Sequence, residues 1–158
     1  MRDPDIPIDY SILNAANDYA LAHSGCTKVA VGSAIVKRKR IITLGANRSV
    51  PDLCKTRGCL RIEKYGDNDK THRAPGDCRA IHSEIDAICS AGCSLQGATI
   101  YVTRYPCEGC ARAIVSAGIK RVVYGRQQCI SDETQKIFED AGVVVTWVTG
   151  WDAPDAVN

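Results

Sequence analysis

The spacing of apolar residues alternates along the chain between a helical period and a strand-like one. An amphipathic helix is predicted over 8–22, where apolar side chains recur at helical spacing: Ile8, Ile12, Ala15, Ala16, Tyr19 and Ala20. Two segments of β-branched and small residues, 29–36 and 41–46, flank the basic run 37–40. They predict an antiparallel hairpin joined by a turn at this run.

Beyond residue 78 the pattern predicts helices and short strands in alternation: a helix over 79–91, a strand over 98–103, a helix over 107–117, a strand over 121–124, a helix over 132–141 and a strand over 143–148. Alternation of this kind is typical of parallel strands joined by helical crossovers. The order α-β-β-α-β-α-β-α-β therefore predicts a three-layer α/β/α fold with a central mixed five-stranded sheet.

Two parts of the chain lack a clear period. The segment 47–77 is polar and contains Pro and Gly at several positions, so we expect a long loop that is functional or held in place by something. The tail from 149 is expected to be loose. At 158 residues, we expect the whole chain, 1–158, to form a single domain.

Charge and composition narrow the classes of function only a little. The net charge is +2, and 37–40 is the one basic cluster, where a solvated hairpin turn is favoured over a nucleic-acid patch. The sequence has no apolar stretch long enough to span a bilayer and no signal-peptide pattern at its start, so we expect a cytoplasmic protein without a membrane partner. Its nine cysteines then favour metal ligation over disulfides.

Two short segments carry the candidate chemistry. His82-Ser83-Glu84 and Pro106-Cys107-Glu108-Gly109-Cys110 supply one imidazole, two thiolates and one further carboxylate. Three protein ligands, His82, Cys107 and Cys110, leave a tetrahedral zinc with an open fourth position for water, as in catalytic sites. Glu84 would then transfer protons as the general acid and base. A structural zinc knuckle and a redox Cys-x-x-Cys motif are the alternatives, and the neighbouring Glu84 argues against both.

The H-x-E…P-C-x-x-C pattern is the signature of zinc nucleobase deaminases. The segments 78–88, 97–111 and 117–124 extend the match, and the chain resembles the cytidine deaminase superfamily over about 24–148, in particular its deoxycytidylate (dCMP) deaminases of phage and bacterial type. The resemblance implies a cytidine deaminase-like fold and hydrolysis of dCMP to dUMP and ammonia. It also implies homo-oligomers, commonly hexamers, with dCTP and dTTP as effectors. The net charge of +2 and the aromatic content of 6% separately argue against a nucleic-acid partner.

Other functions stay open at this point. A zinc deaminase acting on another cytosine nucleotide or nucleoside, or on tRNA adenosine, would share the same motif. A zinc-stabilised binding module without catalysis is a third reading, against which the intact Glu84 argues.

The resemblance also assigns candidate substrate contacts. Asn47 matches an asparagine that contacts the substrate sugar, although the family's G-Y-N-G turn reads Gly-Ala-Asn-Arg at 45–48, which puts regulation by dCTP in doubt. For Arg48 two interpretations are open: its side chain contacts a phosphate of a bound nucleotide, or it is exposed to solvent without such a role. Arg104 and Tyr105 line the pocket wall, with a core role as the alternative for Tyr105. Asp86 replaces the family's usual asparagine, and it could instead be a solvated helix residue.

A second, structural zinc is also expected, because phage-type members of the family often carry one. By this comparison its ligands would be Cys26, Cys54, His72 and either Cys78 or Cys59. Such a metal would anchor the long polar loop beside the active site. The alternative is that some of these cysteines are buried thiols.

Overall fold

The sheet contains both parallel and antiparallel strand pairs. The computed structural model describes residues 6–67, 78–127 and 130–153. Its strands are β1 (Gly32–Lys37), β2 (Arg40–Ala46), β3 (Thr99–Arg104), β4 (Arg121–Arg126) and β5 (Val144–Trp147), arranged in the order β2-β1-β3-β4-β5. β1 pairs antiparallel with β2 and β3, whereas β3, β4 and β5 run parallel. The predicted mixed five-stranded sheet is confirmed.

The helices cover both faces of this sheet, as a three-layer fold requires. They are α1 (Ile6–His23), α2 (Leu53–Arg57), α3 (Leu60–Tyr65), α4 (Ser83–Ser90), α5 (Glu108–Ser116) and α6 (Asp132–Asp140). On one face α1 packs Leu13 and Ala16 against Tyr101 and Val123. On the other face α4, α5 and α6 contribute a second apolar cluster: Ala87, Ala111, Ile114 and Phe138, packed on Ile100, Val102 and Val122.

The basic run forms the predicted hairpin turn. Lys37, the last residue of β1, pairs with Arg40, the first residue of β2. Arg38 and Lys39 therefore make a two-residue loop. Both have positive φ, at 50° and 63°. Tight hairpins require this conformation because it matches the twist of the strands, although glycine or asparagine adopts it more easily.

Two sequence-based expectations need correction. The segment 47–77 is not loop throughout, because α2 and α3 lie within it; each is so short that its period is masked by the surrounding polar residues. The tail is not loose up to residue 153, since Trp151 and Ala153 are buried against α1 and the sheet. The Trp151 indole donates a hydrogen bond to Asn14 of α1, which ties this segment down.

Helix α4 lies unusually close to β2. A Cβ at Gly45 would collide with the carbonyl oxygen of Ser83 and the backbone nitrogen of Ala87. A glycine at this position therefore lets the first turn of α4 rest directly on the end of β2. Within the described residues, every helix is too short or too polar to cross a lipid bilayer.

Candidate active site

Three candidate ligands converge at the beginnings of two neighbouring helices. His82 is the N-cap residue of α4 and Cys107 that of α5, and both have extended backbone, while Cys110 lies in the first turn of α5. Their potential ligand atoms all lie within 4.8 Å of one another. In the part of the chain that the structure describes, this is the one group of three or more such residues so close together.

The spacing of these atoms fits a tetrahedral zinc ion. His82 Nδ1 lies 3.5 Å from Cys107 Sγ and 3.4 Å from Cys110 Sγ. A nitrogen and a sulfur bound to one tetrahedral zinc, at ~2.0–2.1 Å and ~2.3 Å, would lie roughly 3.5 Å apart. The donor set of one imidazole and two thiols is also one that zinc prefers. These residues can therefore hold the metal without rearrangement.

The electrostatics of the group favour a thiolate. A hydrogen bond from the Cys110 thiol, helped by His82, lowers the pKa of Cys107 to about 3 despite partial burial. The same interaction raises the pKa of Cys110, which keeps its proton, and the Cys107 hydrogen bond raises the pKa of His82. Both sulfurs lie at the start of α5, where the unpaired N–H groups of a helix favour negative charge.

Glu84 lies beside this group and is buried, with 4% of its surface exposed. The Ser83 hydroxyl donates a hydrogen bond of 3.2 Å to Glu84 Oε2. The Ser33 hydroxyl lies 2.6 Å from that of Ser83, and since Ser83 donates to Glu84, Ser33 is the donor in this pair. Burial raises the pKa of Glu84, with His82 opposing this effect. The carboxyl group is thus fixed in place and holds a proton more readily than an exposed acid.

Asn47 is buried at the end of β2 and anchors the surrounding loops. Its Oδ1 accepts hydrogen bonds from Val31 N–H at 2.8 Å and from the Ser24 hydroxyl at 2.7 Å. Its Nδ2 donates to the Val29 carbonyl at 2.9 Å. These contacts give Asn47 a structural role and leave one amide N–H for a ligand, so its contact with a sugar remains a prediction.

Arg48 and Asp86 form an ion pair between this turn and α4. Asp86 Oδ1 accepts from Arg48 Nη2 at 2.8 Å and Nε at 3.1 Å, and Oδ2 accepts from the Ala46 N–H at 3.1 Å. The expectation that Asp86 could be a solvated helix residue is wrong, because its side chain is 8% exposed. The pair raises the pKa of Arg48.

Arg104 and Tyr105 lead from β3 into α5. Arg104 is the last residue of β3 and stands in register with Arg126 of β4. Tyr105 is 9% exposed, and its ring packs edge-on against Tyr124 at 4.9 Å between centroids. Burial raises the pKa of Tyr105. The contacts of Tyr105 are those of a core residue next to the site, and its role in the pocket wall stays a prediction.

The second set of cysteines is brought together less tightly. Cys54 is buried in α2, where its N–H is bonded to the Ser49 hydroxyl, whereas Cys26, Cys59 and Cys78 are half-buried. Burial raises the pKa of Cys78, and the neighbouring Cys26 and Cys54 thiols raise it further. Cys26 and Cys54 are therefore near Cys78, although the three sulfurs do not all lie within 4.8 Å of one another. His72 lies outside the described residues, and the eight cysteines inside them form no disulfide.

Sequence reasoning missed two features of the site. Ser33 is 50 residues from Ser83, and no local pattern marks the contact of their hydroxyls. Arg48 and Asp86 each depart from the family pattern, but their separation of 38 residues hides the ion pair. Arg48 and Asp86 carry opposite charges, and both replace the residue that is usual in the family. This combination is the signal that could have revealed the pair.

Comparisons with known proteins agree with this geometry. Residues 8–126 match the family model described as the cytidine and deoxycytidylate deaminase zinc-binding region. The chain is 39% identical over 139 residues to ComE operon protein 2 of Bacillus subtilis, a match that covers 84% of this chain and 68% of that protein. It is 35% identical over 130 residues to deoxycytidylate deaminase of Saccharomyces cerevisiae, covering 80% of this chain and 40% of the yeast protein. The chain belongs to the cytidine and deoxycytidylate deaminase family.

The fold comparison leads to the same architecture. The crystal structure of dCMP deaminase from the cyanophage S-TIM5, in complex with dCMP and dUMP, superposes with a TM-score of 0.64. The match covers 93% of this chain and 99% of the phage protein at 22% identity. The cytidine deaminase-like fold expected from the sequence is confirmed.

Proposed function

We propose that the protein is a zinc-dependent hydrolase that converts dCMP to dUMP and ammonia. The observation that carries this proposal is the convergence of His82 Nδ1 and the sulfurs of Cys107 and Cys110 beside the buried carboxyl group of Glu84. Membership of the deaminase family supports the reaction type.

The chain supplies the ligands and the proton carrier for this reaction. His82, Cys107 and Cys110 would hold the zinc, which, when bound, supplies a Lewis acid that brings the pKa of water toward neutrality. Glu84 accepts one proton from water at its carboxylate and gives it to the ring nitrogen of the base as the hydroxide adds to the carbon that bears the amine. It then takes the second proton, from the added hydroxyl group, and gives it to the departing amine, so that ammonia leaves. Its raised pKa suits a group that must both accept and release a proton near neutral pH.

Two observations support dCMP as the substrate: the activity of a relative and the polar turn at the end of β2. The yeast relative is a deoxycytidylate deaminase. Asn47 and Arg48 supply an amide and a guanidinium beside Ile81, the residue before His82. They support a substrate with a sugar and a phosphate, and Arg104 and Tyr105 would border the same pocket.

The proposal is tested by measuring ammonia release from the zinc-loaded protein with dCMP, dCTP, cytidine, deoxycytidine and a tRNA. We expect dCMP to give the highest kcat/KM. Turnover of another cytosine compound or of the tRNA without turnover of dCMP would overturn the assignment of the substrate. No turnover of any of them would favour a binding module.

We also propose that Cys26, Cys54 and Cys78 contribute ligands to a second zinc, with His72 and Cys59 as further candidates. The proximity of Cys26 and Cys54 to Cys78 supports this, as does the location of Cys54 within α2. Replacing Cys54 with serine should lower the zinc content from about two per chain to about one. Cys93→Ser, a change at an exposed cysteine, is the matched control and should leave the content unchanged. Equal content in both variants would remove Cys54 from the ligand set.

We further propose a homo-oligomer, with a hexamer as the specific expectation and dCTP and dTTP as effectors. The edge strand β5 supports assembly, because Val144 is 61% exposed and Trp147 is 43% exposed on a strand without charges to protect its edge. Light scattering after size-exclusion chromatography would measure the subunit count, and a monomer at all concentrations would contradict assembly. A kcat/KM for dCMP that neither nucleotide changes would remove the effectors.

A further inference from the structure

The ion pair between Arg48 and Asp86 fixes the direction of an arginine at the edge of the site. Asp86 Oδ1 contacts both Nε and Nη2 of Arg48, and Oδ2 is held by the Ala46 N–H. The carboxylate is 8% exposed, whereas the arginine side chain is 46% exposed. A buried acid that holds one edge of a guanidinium turns the rest of it outward, and an arginine has five N–H donors in a fixed plane.

The backbone of Arg48 is also fixed relative to the candidate ligands. Its N–H donates to the Ile81 carbonyl at 3.1 Å, and the Ile81 N–H donates to the Arg48 carbonyl at 2.7 Å. Ile81 directly precedes His82. Both ends of Arg48, its backbone and its guanidinium, are thus tied to the segment that carries His82, Glu84 and Asp86.

A small polar cavity lies next to Arg48. This cavity of about 280 Å³ is bordered by Arg48 together with His23, Gly25, Ser49 and Lys55. Asp52 also borders it and lies 3.5 Å from Lys55 Nζ. Lys55 is thus paired with Asp52 and Arg48 with Asp86, so an anionic group here would be bound by the remaining N–H donors of the Arg48 guanidinium rather than by an excess of positive charge. A guanidinium held from behind matches the oxygens of a phosphate.

We propose that Arg48 selects substrates that carry a 5′-phosphate and that Asp86 is the positioning residue that fixes the direction of its guanidinium at the edge of the site. The inference rests on the proposed function, since it concerns how that site distinguishes dCMP from deoxycytidine. Without Asp86 the arginine keeps its charge but loses its fixed direction, and binding must then restrict a flexible side chain.

The test compares kcat/KM for dCMP with kcat/KM for deoxycytidine in the zinc-loaded protein, and the affinities for dUMP and deoxyuridine by calorimetry. Arg48→Ala should lower the preference for the phosphorylated compound roughly 10- to 100-fold, as expected for loss of a charge-assisted hydrogen bond. Asp86→Asn should lower it about fivefold, mainly through KM for dCMP. A general folding defect would affect both compounds alike and leave their ratio unchanged.

Two further variants separate positioning from other effects. Asp86→Asn added to Arg48→Ala should change the preference no further, because Asp86 acts through Arg48. Asp9→Asn is the matched control: Asp9 is also a buried acid paired with an arginine, Arg121, but on the α1 face of the sheet. Asp9→Asn should leave the preference unchanged.

The outcomes distinguish the inference from the proposed function. Turnover of dCMP with an unchanged preference in Arg48→Ala would overturn the inference and leave the proposed function standing. A separate effect of Asp86→Asn in the Arg48→Ala background would overturn the positioning role of Asp86. No turnover of dCMP by the unaltered protein would overturn the proposed function, and the inference with it.

Discussion

Two buried carboxylic acids lie on opposite faces of the sheet and have very different partners. Asp9 in α1 is 1% exposed, and it accepts hydrogen bonds from the Tyr101 hydroxyl at 2.8 Å and from Arg121 Nη2 at 3.1 Å. Glu84 in α4 is 4% exposed and accepts a hydrogen bond from Ser83, and its other neighbours include His82 and the Cys110 thiol. Within the described ranges, no arginine or lysine forms an ion pair with Glu84.

This difference in partners indicates a structural role for Asp9 and a role in proton transfer for Glu84. A buried carboxylate that is paired with a cation and a hydroxyl group links the elements that carry them, here α1, β3 and β4. A buried carboxyl group without such a cation is pushed toward its protonated form, which is the direction found for the pKa of Glu84. Glu84 is therefore suited to proton transfer and Asp9 to holding the fold.

Replacing Glu84 gives the largest expected effect and tests the chemical side of this comparison. Glu84→Gln keeps the size of the side chain and one acceptor oxygen for Ser83, but it cannot take up and release a proton. We expect kcat for dCMP to fall roughly 10²- to 10⁴-fold, the usual contribution of a general acid or base. Ammonia release and zinc content should be measured on the same sample. If the variant loses zinc along with turnover, the effect cannot be assigned to proton transfer.

Asp9→Asn tests the structural side. Removing the charge leaves Arg121 without its charged partner. Because Arg121 is 33% exposed and can be hydrated, this costs about 1–3 kcal/mol of the free energy of unfolding. Urea denaturation followed by circular dichroism would measure this cost. The kcat for dCMP of the folded variant should equal that of the unaltered protein. A fall in kcat at unchanged stability would contradict the division between the two acids.

The Asp9 network also predicts how stability depends on pH. Burial, together with the hydrogen bond to Asp9, raises the pKa of Tyr101 from 10.0 to about 12. Between these values the unfolded chain releases the tyrosine proton while the folded protein keeps it, so stability falls as pH rises from 10 toward 12. At pH 11 the loss is about 1.4 kcal/mol relative to pH 9.

Tyr101→Phe isolates this contribution. The variant has no proton to release at this position, so its free energy of unfolding should fall less between pH 9 and pH 11 than that of the unaltered protein, by the same 1.4 kcal/mol or so. Urea denaturation at both pH values measures the two slopes. Parallel slopes would show that Tyr101 keeps its ordinary pKa in the folded protein.

The order of the main elements could be predicted from the sequence because each has a clear period and is long enough to show it. Helix α1 and the hairpin of β1 and β2 are examples, as is the placement of His82 and Cys107 at helix starts. Helices α2 and α3 have 5 and 6 residues, too few for a period to emerge from a polar segment. Burial of Trp151 depends on a contact with α1, 137 residues away, which no local pattern reports.

In the candidate site too, local features could be predicted from the sequence, whereas contacts between distant segments could not. His82 and Glu84 both lie at the start of α4, and Cys107 and Cys110 both lie at the start of α5. Local helix geometry therefore determines the relative positions within each pair. The partners of the two acids come from distant segments: Asp9 and Arg121 are 112 residues apart, and Ser33 and Ser83 are 50 apart. Their pairing depends on how the helices pack on the sheet, and it cannot be predicted from the composition of the chain or the spacing of its residues.

The smallest expected effect concerns the hydrogen bond that Ser83 donates to Glu84. Ser83→Ala removes the donor to Oε2 and also the partner of the Ser33 hydroxyl. A hydrogen bond of this kind contributes about 1 kcal/mol, so kcat for dCMP should fall about fivefold with little change in KM. Ser33→Ala is the matched variant, because it leaves the bond to Glu84 intact and should lower kcat less. If both variants lower kcat equally, the two hydroxyls act as one unit, and the orientation of Glu84 depends on the strand as well as on its own helix.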